Sequence, residues 1–165
     1  MAWIMDPIIE QILDEKSQLK WDKRFLKLAK EVSTWSKDPS TQVGCVVVDE
    51  DRRIVSLGYN GFPKGVEDSD ERLNNRELKY KIVLHSEDNA IITAERERLV
   101  GSTFYTYPFE PCSNCGSKII QVKAKRVVTP KTKDVRLKQS WSNELTRELF
   151  AEAGVILDFV EIEDE

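Results

Sequence analysis

At 165 residues, the chain is long enough to enclose one full hydrophobic core. Its net charge of −4, with 33% charged and 40% hydrophobic residues, is a poor footprint for a polyanion binder, and no apolar run approaches the ~20 residues that span a bilayer. The opening Met1-Ala2-Trp3-Ile4-Met5-Asp6-Pro7 lacks the basic and apolar regions of a secretory signal, so a cytoplasmic location is expected.

Pro7 to Leu19 reads as a helical extension, which makes residues 1–20 an appendage to a domain over residues 21–165. From Trp21 to Trp35, Phe25, Leu28, Ala29 and Val32 recur at helical spacing and predict an amphipathic helix. Pro39 breaks it, because it disfavours helical geometry at Asp38. Val43 to Asp49 and Ile54 to Tyr59 follow as two strands, with Glu50-Asp51-Arg52-Arg53 as a hairpin turn. Asn60-Gly61-Phe62-Pro63 opens a loop, and the charged stretch from Lys64 to Lys79 is expected in solvent. A helix starts near His85, with Ala90, Ile91, Ala94 and Leu99 on its apolar side.

Thr103 to Tyr107 reads as a strand with one face buried, since Phe104 alternates with Tyr105 and Tyr107. After the loop from Pro108 to Pro111 come a helix from Cys112 to Val122 and a strand from Arg126 to Thr129. A helix from Trp141 to Ala153, stopped by Gly154, precedes a last strand from Val155 to Val160. The order αββαβαβαβ predicts an α/β fold, a three-layer α/β/α sandwich around one mixed sheet. Trp21, Trp35 and Trp141 fit core or subunit contacts better than nucleobase platforms. The basic residues Lys123, Lys125, Arg126, Lys131, Lys133, Arg136 and Lys138 form either a solvated strand end and loop or a phosphate-binding or subunit-contact surface.

The chemistry concentrates in two short stretches, His85-Ser86-Glu87 and Pro111-Cys112-Ser113-Asn114-Cys115. Together they read H-x-E and P-C-x-x-C, the signature of zinc deaminases. The chain's one histidine falls in the first stretch and two of its three cysteines in the second. One imidazole and two thiolates are the donor set expected of a Zn²⁺ that keeps its fourth position for water. His85, Cys112 and Cys115 are therefore the candidate metal ligands, and Glu87 is the candidate proton shuttle. Both helix N-termini would point at the metal and favour thiolate. Cys45, in an apolar run, reads as a buried inert thiol, and three cysteines do not suggest a disulfide framework. A lone C-x-x-C would also suit a redox dithiol or half of a structural zinc site.

Ser36-Lys37-Asp38-Pro39-Ser40-Thr41-Gln42-Val43-Gly44, Gly58-Tyr59-Asn60-Gly61-Phe62-Pro63, His85-Ser86-Glu87-Asp88-Asn89-Ala90 and the C-x-x-C stretch together resemble the deoxycytidylate (dCMP) deaminases of the cytidine deaminase superfamily. The resemblance implies a cytidine deaminase-like fold and zinc-dependent hydrolysis of dCMP to dUMP, a precursor for thymidylate. It also implies substrate-binding roles: Lys37 and Asp38 at the nucleotide entrance, Asn60 at the sugar, the Ser86 backbone at the pyrimidine edge and Phe109 against the ring. Relatives are often hexamers regulated by dCTP and dTTP, which points to Gly58, Tyr59 and Gly61 as effector contacts, with Mg²⁺ accompanying a nucleotide effector. Ser86 departs from the family, whose residue there is usually alanine; its hydroxyl, near the ring edge, either adjusts substrate choice or, the favoured expectation, rests against the helix backbone. The alternatives are a deaminase of another nucleoside, nucleotide or tRNA adenosine, or a non-catalytic zinc-stabilised binding module. The acidic balance argues against the polymer substrate, and Glu87 argues against the binding module.

Overall fold

The computed structural model describes residues 4–132 and 144–163. Helix α1 runs unbroken over Pro7–Ser33, 27 residues. Asp6 caps it by accepting from the Ile8 N–H at 2.8 Å, and Pro7 at its start has no N–H to leave unpaired. The sequence reading divided this helix near Lys20, but no glycine or proline interrupts residues 8–33, so nothing stops propagation. Only its second half is anchored. Phe25, Leu26, Ala29 and Val32 are buried, while Ile8, Ile9, Ile12 and Leu13 are exposed.

Strands β1 (Gly44–Val48) and β2 (Ile54–Tyr59) pair antiparallel. Two short helices follow, α2 (Asp70–Asn74) and α3 (Arg76–Ile82), in the stretch expected to be solvated. Leu73 and Lys79 are buried there, so the charge density concealed an inward-facing side. The helix expected from His85 onward is two: α4 (Ser86–Ile92) and α5 (Arg96–Leu99). Then come β3 (Thr103–Tyr107), α6 (Ser113–Gln121), β4 (Arg126–Pro130), α7 (Glu144–Ala153) and β5 (Ile156–Val160). Gly154 ends α7 at φ +75°, as its C′ reading requires. Trp141, Lys133, Arg136 and Lys138 lie outside the described residues.

The five strands form one mixed sheet in the order β2-β1-β3-β4-β5. β1 is antiparallel to β2 and β3, whereas β3, β4 and β5 are parallel. Alternation along the strands feeds two cores. Cys45, Val47, Phe104 and Val127 pack with Ala90 of α4, Ile119 of α6 and Phe150 of α7. Val46, Val48, Tyr105 and Val128 pack with Phe25, Leu26, Ala29 and Val32 of α1. β3 is thus buried on both faces rather than one, because helices cover both sides. That is the expected three-layer sandwich.

A polar clamp joins α1 to the sheet. Arg126 donates to both carboxylate oxygens of Asp22, each at 2.8 Å, and through Nε to Asp158 at 2.7 Å. The Tyr105 hydroxyl and the Gln18 amide also donate to Asp22 Oδ1, at 2.7 and 2.9 Å. The basic group at the start of β4 is therefore engaged internally at Arg126, and Lys125 pairs with Glu50.

Candidate active site

The site forms where α4 and α6 begin. His85 precedes α4 and Cys112 caps α6, its sulfur accepting from the Cys115 N–H at 3.5 Å. His85 Nδ1 lies 3.5 Å from Cys112 Sγ and 3.4 Å from Cys115 Sγ. A tetrahedral zinc with ordinary Zn–N and Zn–S bonds holds nitrogen and sulfur about 3.5 Å apart, so both His85–sulfur separations fit the ion. Among the described residues, His85, Cys112 and Cys115 are the group whose ligand atoms converge this closely. Two features hold the helices in register. Asp88 accepts from the His85 N–H at 3.3 Å, and its other oxygen is bound by Lys118 of α6.

The electrostatics suit thiolate ligation. The Cys115 thiol donating to Cys112, with help from His85, pulls Cys112 down to about 4 against the cost of burial. The same contact and burial push Cys115 up, and binding a cation to thiolates releases the protons they hold.

Glu87 is buried at 4% exposure. Burial pushes its carboxyl above the usual carboxylate range, with its own N–H and His85 opposing only in part. The Ser86 hydroxyl does not rest on the helix backbone; it donates to Glu87 Oε2 at 3.0 Å. Gly58 of β2 permits this packing. A Cβ there would stand 2.3 Å from the Ser86 carbonyl oxygen and 2.6 Å from the Ala90 nitrogen.

A cavity of about 80 Å³ opens over these groups. Its lining includes His85, Ser86, Glu87 and Cys112, and with them Asp38, Asn60 and Phe109. Asn60 staples the surrounding loop: its Oδ1 accepts from the Val43 N–H at 2.8 Å and its Nδ2 donates to the Thr41 carbonyl at 2.9 Å. Lys37 stands outside this group. Its side chain is 72% exposed and pairs with Asp68 at 2.8 Å. Gly61 is bridged to Leu84 by paired backbone hydrogen bonds, and exposed Tyr59 meets Trp35 edge-on.

The cavity also contains two charged residues the sequence reading passed over, Lys79 and Glu110. Glu110 is held by Arg147 of α7 at 2.6 and 3.1 Å, tying the lip of the cavity to that helix. Its place between Phe109 and Pro111 was the available signal. For Lys79 the signal was the apolar Ile82-Val83-Leu84 run that carries α3 straight into His85.

Comparison with known proteins agrees with this geometry. Residues 19–131 match the family model described as the cytidine and deoxycytidylate deaminase zinc-binding region. An uncharacterized deaminase in the luxG 3′ region of Aliivibrio fischeri is 44% identical over 137 residues, covering 82% of this chain and 90% of that protein. A probable deoxycytidylate deaminase of Caenorhabditis elegans is 43% identical over 128 residues, 76% of this chain; the match spans 64% of that protein's length. In fold, the chain resembles the cyanophage S-TIM5 dCMP deaminase crystallised with dCMP and dUMP, at a TM-score of 0.63 and 22% identity over 95% of this chain and 100% of that one. Motif, ligand geometry and matched span agree: the chain belongs to the cytidine and deoxycytidylate deaminase family.

Proposed function

We propose that the chain hydrolyses dCMP to dUMP and ammonia. The observation that carries this reading is the convergence of His85, Cys112 and buried Glu87 on one cavity that also reaches Asp38, Asn60 and Phe109. The relative named as a probable deoxycytidylate deaminase and the cyanophage structure holding dCMP and dUMP support the substrate. His85, Cys112 and Cys115 would hold zinc, which when bound acidifies the water in its open position.

The chain's own groups do the rest. Glu87 would take one proton from the attacking water and pass it to the ring nitrogen, then take the second from the hydroxyl left on the attacked carbon and deliver it to the amine, which leaves as ammonia. Phe109 offers its face to the pyrimidine and the Ser86 backbone its hydrogen-bonding edge, while Asn60 meets the sugar and Asp38 lines the nucleotide entrance. Lys37, exposed near the loop, attracts the anionic nucleotide at longer range. Regulation by dCTP and dTTP through Gly58, Tyr59 and Gly61, and assembly into a hexamer, belong to the same reading and rest on resemblance alone.

The test is a deamination panel on zinc-loaded protein with dCMP, CMP, deoxycytidine and adenosine-bearing RNA, followed by ultraviolet absorbance. Turnover of dCMP well above the others is expected. Glu87→Gln should keep its zinc yet lose about 10²- to 10⁴-fold in kcat, the usual worth of a positioned general acid–base. Full activity of that variant, or preference for another substrate, overturns the assignment.

A further inference from the structure

Lys79 is a buried charge that neither the metal ligands nor the proton shuttle uses. Its residue is 5% exposed, and a lysine this deep needs compensation. Its Nζ lies 3.1 Å from Asp38 Oδ1 and 3.4 Å from Ser40 Oγ. Asp38 Oδ1 also accepts from the backbone N–H groups of Ser40 and Thr41, at 2.8 and 3.2 Å. Three donors saturate that oxygen.

The other oxygen is different. Among the described residues, Asp38 Oδ2 meets only Asn60 Nδ2, at 3.5 Å, and that amide is already committed to the Thr41 carbonyl at 2.9 Å. A carboxylate oxygen accepts about two hydrogen bonds, so Oδ2 retains capacity for a donor. Asp38 and Lys79 both line the cavity that contains Glu87. A spare carboxylate oxygen only accepts, so it takes a hydroxyl donor and has no proton to offer a phosphate.

We infer that Lys79 is a positioning residue that sets sugar specificity: by locking Asp38 Oδ1, it presents Oδ2 to the sugar hydroxyl of the bound nucleotide. The inference rests on the dCMP reading, in which the one free hydroxyl of the deoxyribose is the 3′ group. A lysine serving only as a structural strut would stabilise the loop without discriminating between sugars.

The experiment compares dCMP with 2′,3′-dideoxycytidine 5′-monophosphate on wild-type, Lys79→Met, Lys79→Arg and Asp38→Asn proteins, with zinc content measured throughout. Wild type should favour dCMP by roughly 30-fold or more in kcat/KM, since a site built to bond a hydroxyl rejects the analogue lacking it. In K79M that preference should shrink to about threefold, through a raised KM for dCMP with kcat and zinc little changed. D38N should behave likewise, and K79R should recover part of the preference.

Equal use of both nucleotides by wild type overturns the inference alone. A preference that survives intact in K79M makes Lys79 a strut and overturns it too. If K79M does not fold, Lys79→Gln, which also removes the charge, decides on the same readout: an intact preference overturns the inference and a reduced one supports it. Failure of wild type to turn over either nucleotide overturns the substrate reading and this inference with it.

Discussion

At the scale of single residues, the carboxylate proposed as proton shuttle is held by a neighbouring hydroxyl. The Ser86 hydroxyl donates to Oε2 of Glu87 at 3.0 Å, a contact that would steady the carboxylate in the proposed proton transfers. A hydrogen bond to a charged group contributes about 1.5–3 kcal/mol, and only the part that changes between ground and transition state reaches the rate. Ser86→Ala is therefore expected to lower kcat for dCMP roughly three- to tenfold, with KM and zinc content unchanged, in steady-state kinetics. An unaltered kcat would mean that the hydroxyl merely fills space. That the serine faces the carboxylate was not readable beforehand, because rotamer choice at Ser86 is decided by burial between β2 and α4.

Among the secondary-structure elements, helix α4 owes its position to Gly58. A Cβ at Gly58 would collide with backbone atoms of Ser86 and Ala90, which cannot give way as a flexible side chain would. Gly58→Ala should cost about 2–4 kcal/mol, read as a lower urea midpoint, and should reduce activity as the helix bearing Glu87 is pushed off the sheet. This backbone role stands beside the effector role that resemblance suggests for the same glycine.

The five strands and the metal-bearing helices were legible in the sequence, since apolar runs such as Val46-Val47-Val48 and the fixed spacing of Cys112 and Cys115 are local signals. What escaped was non-local. Lys79 looked solvated because its partner Asp38 lies 41 residues away. The joining of residues 7–33 into one helix was hidden by a change in which side meets the core.

For the molecule as a whole, the Asp22–Arg126–Asp158 clamp fastens one helical layer to the sheet. Burial alone would push Asp22 up, but hydrogen bonds from Arg126, Tyr105 and Gln18 outweigh it and hold the carboxyl below its ordinary value. A depressed folded-state pKa stabilises above the unfolded value, near 4, and that stability is lost as pH falls through the folded value. Denaturant titrations should accordingly show stability declining below about pH 4, with a shallower decline in Asp22→Asn. Arg126→Ala, which strands Asp22 in the interior, should lose about 3–5 kcal/mol at neutral pH.

The distribution of sulfur across the fold has a practical consequence. Of the three free thiols, half-buried Cys112 and buried Cys115 belong to the candidate metal site, whereas Cys45 lies in the core away from it, where burial pushes its thiol well up. Alkylating reagents attack thiolates that they can reach. Zinc-loaded native protein should thus take up almost no label, chelator-treated native protein at most two equivalents, and only unfolded chain the third. Mass spectrometry of alkylated samples would read metal occupancy and global unfolding as separate steps of one scale, with no chromophore added.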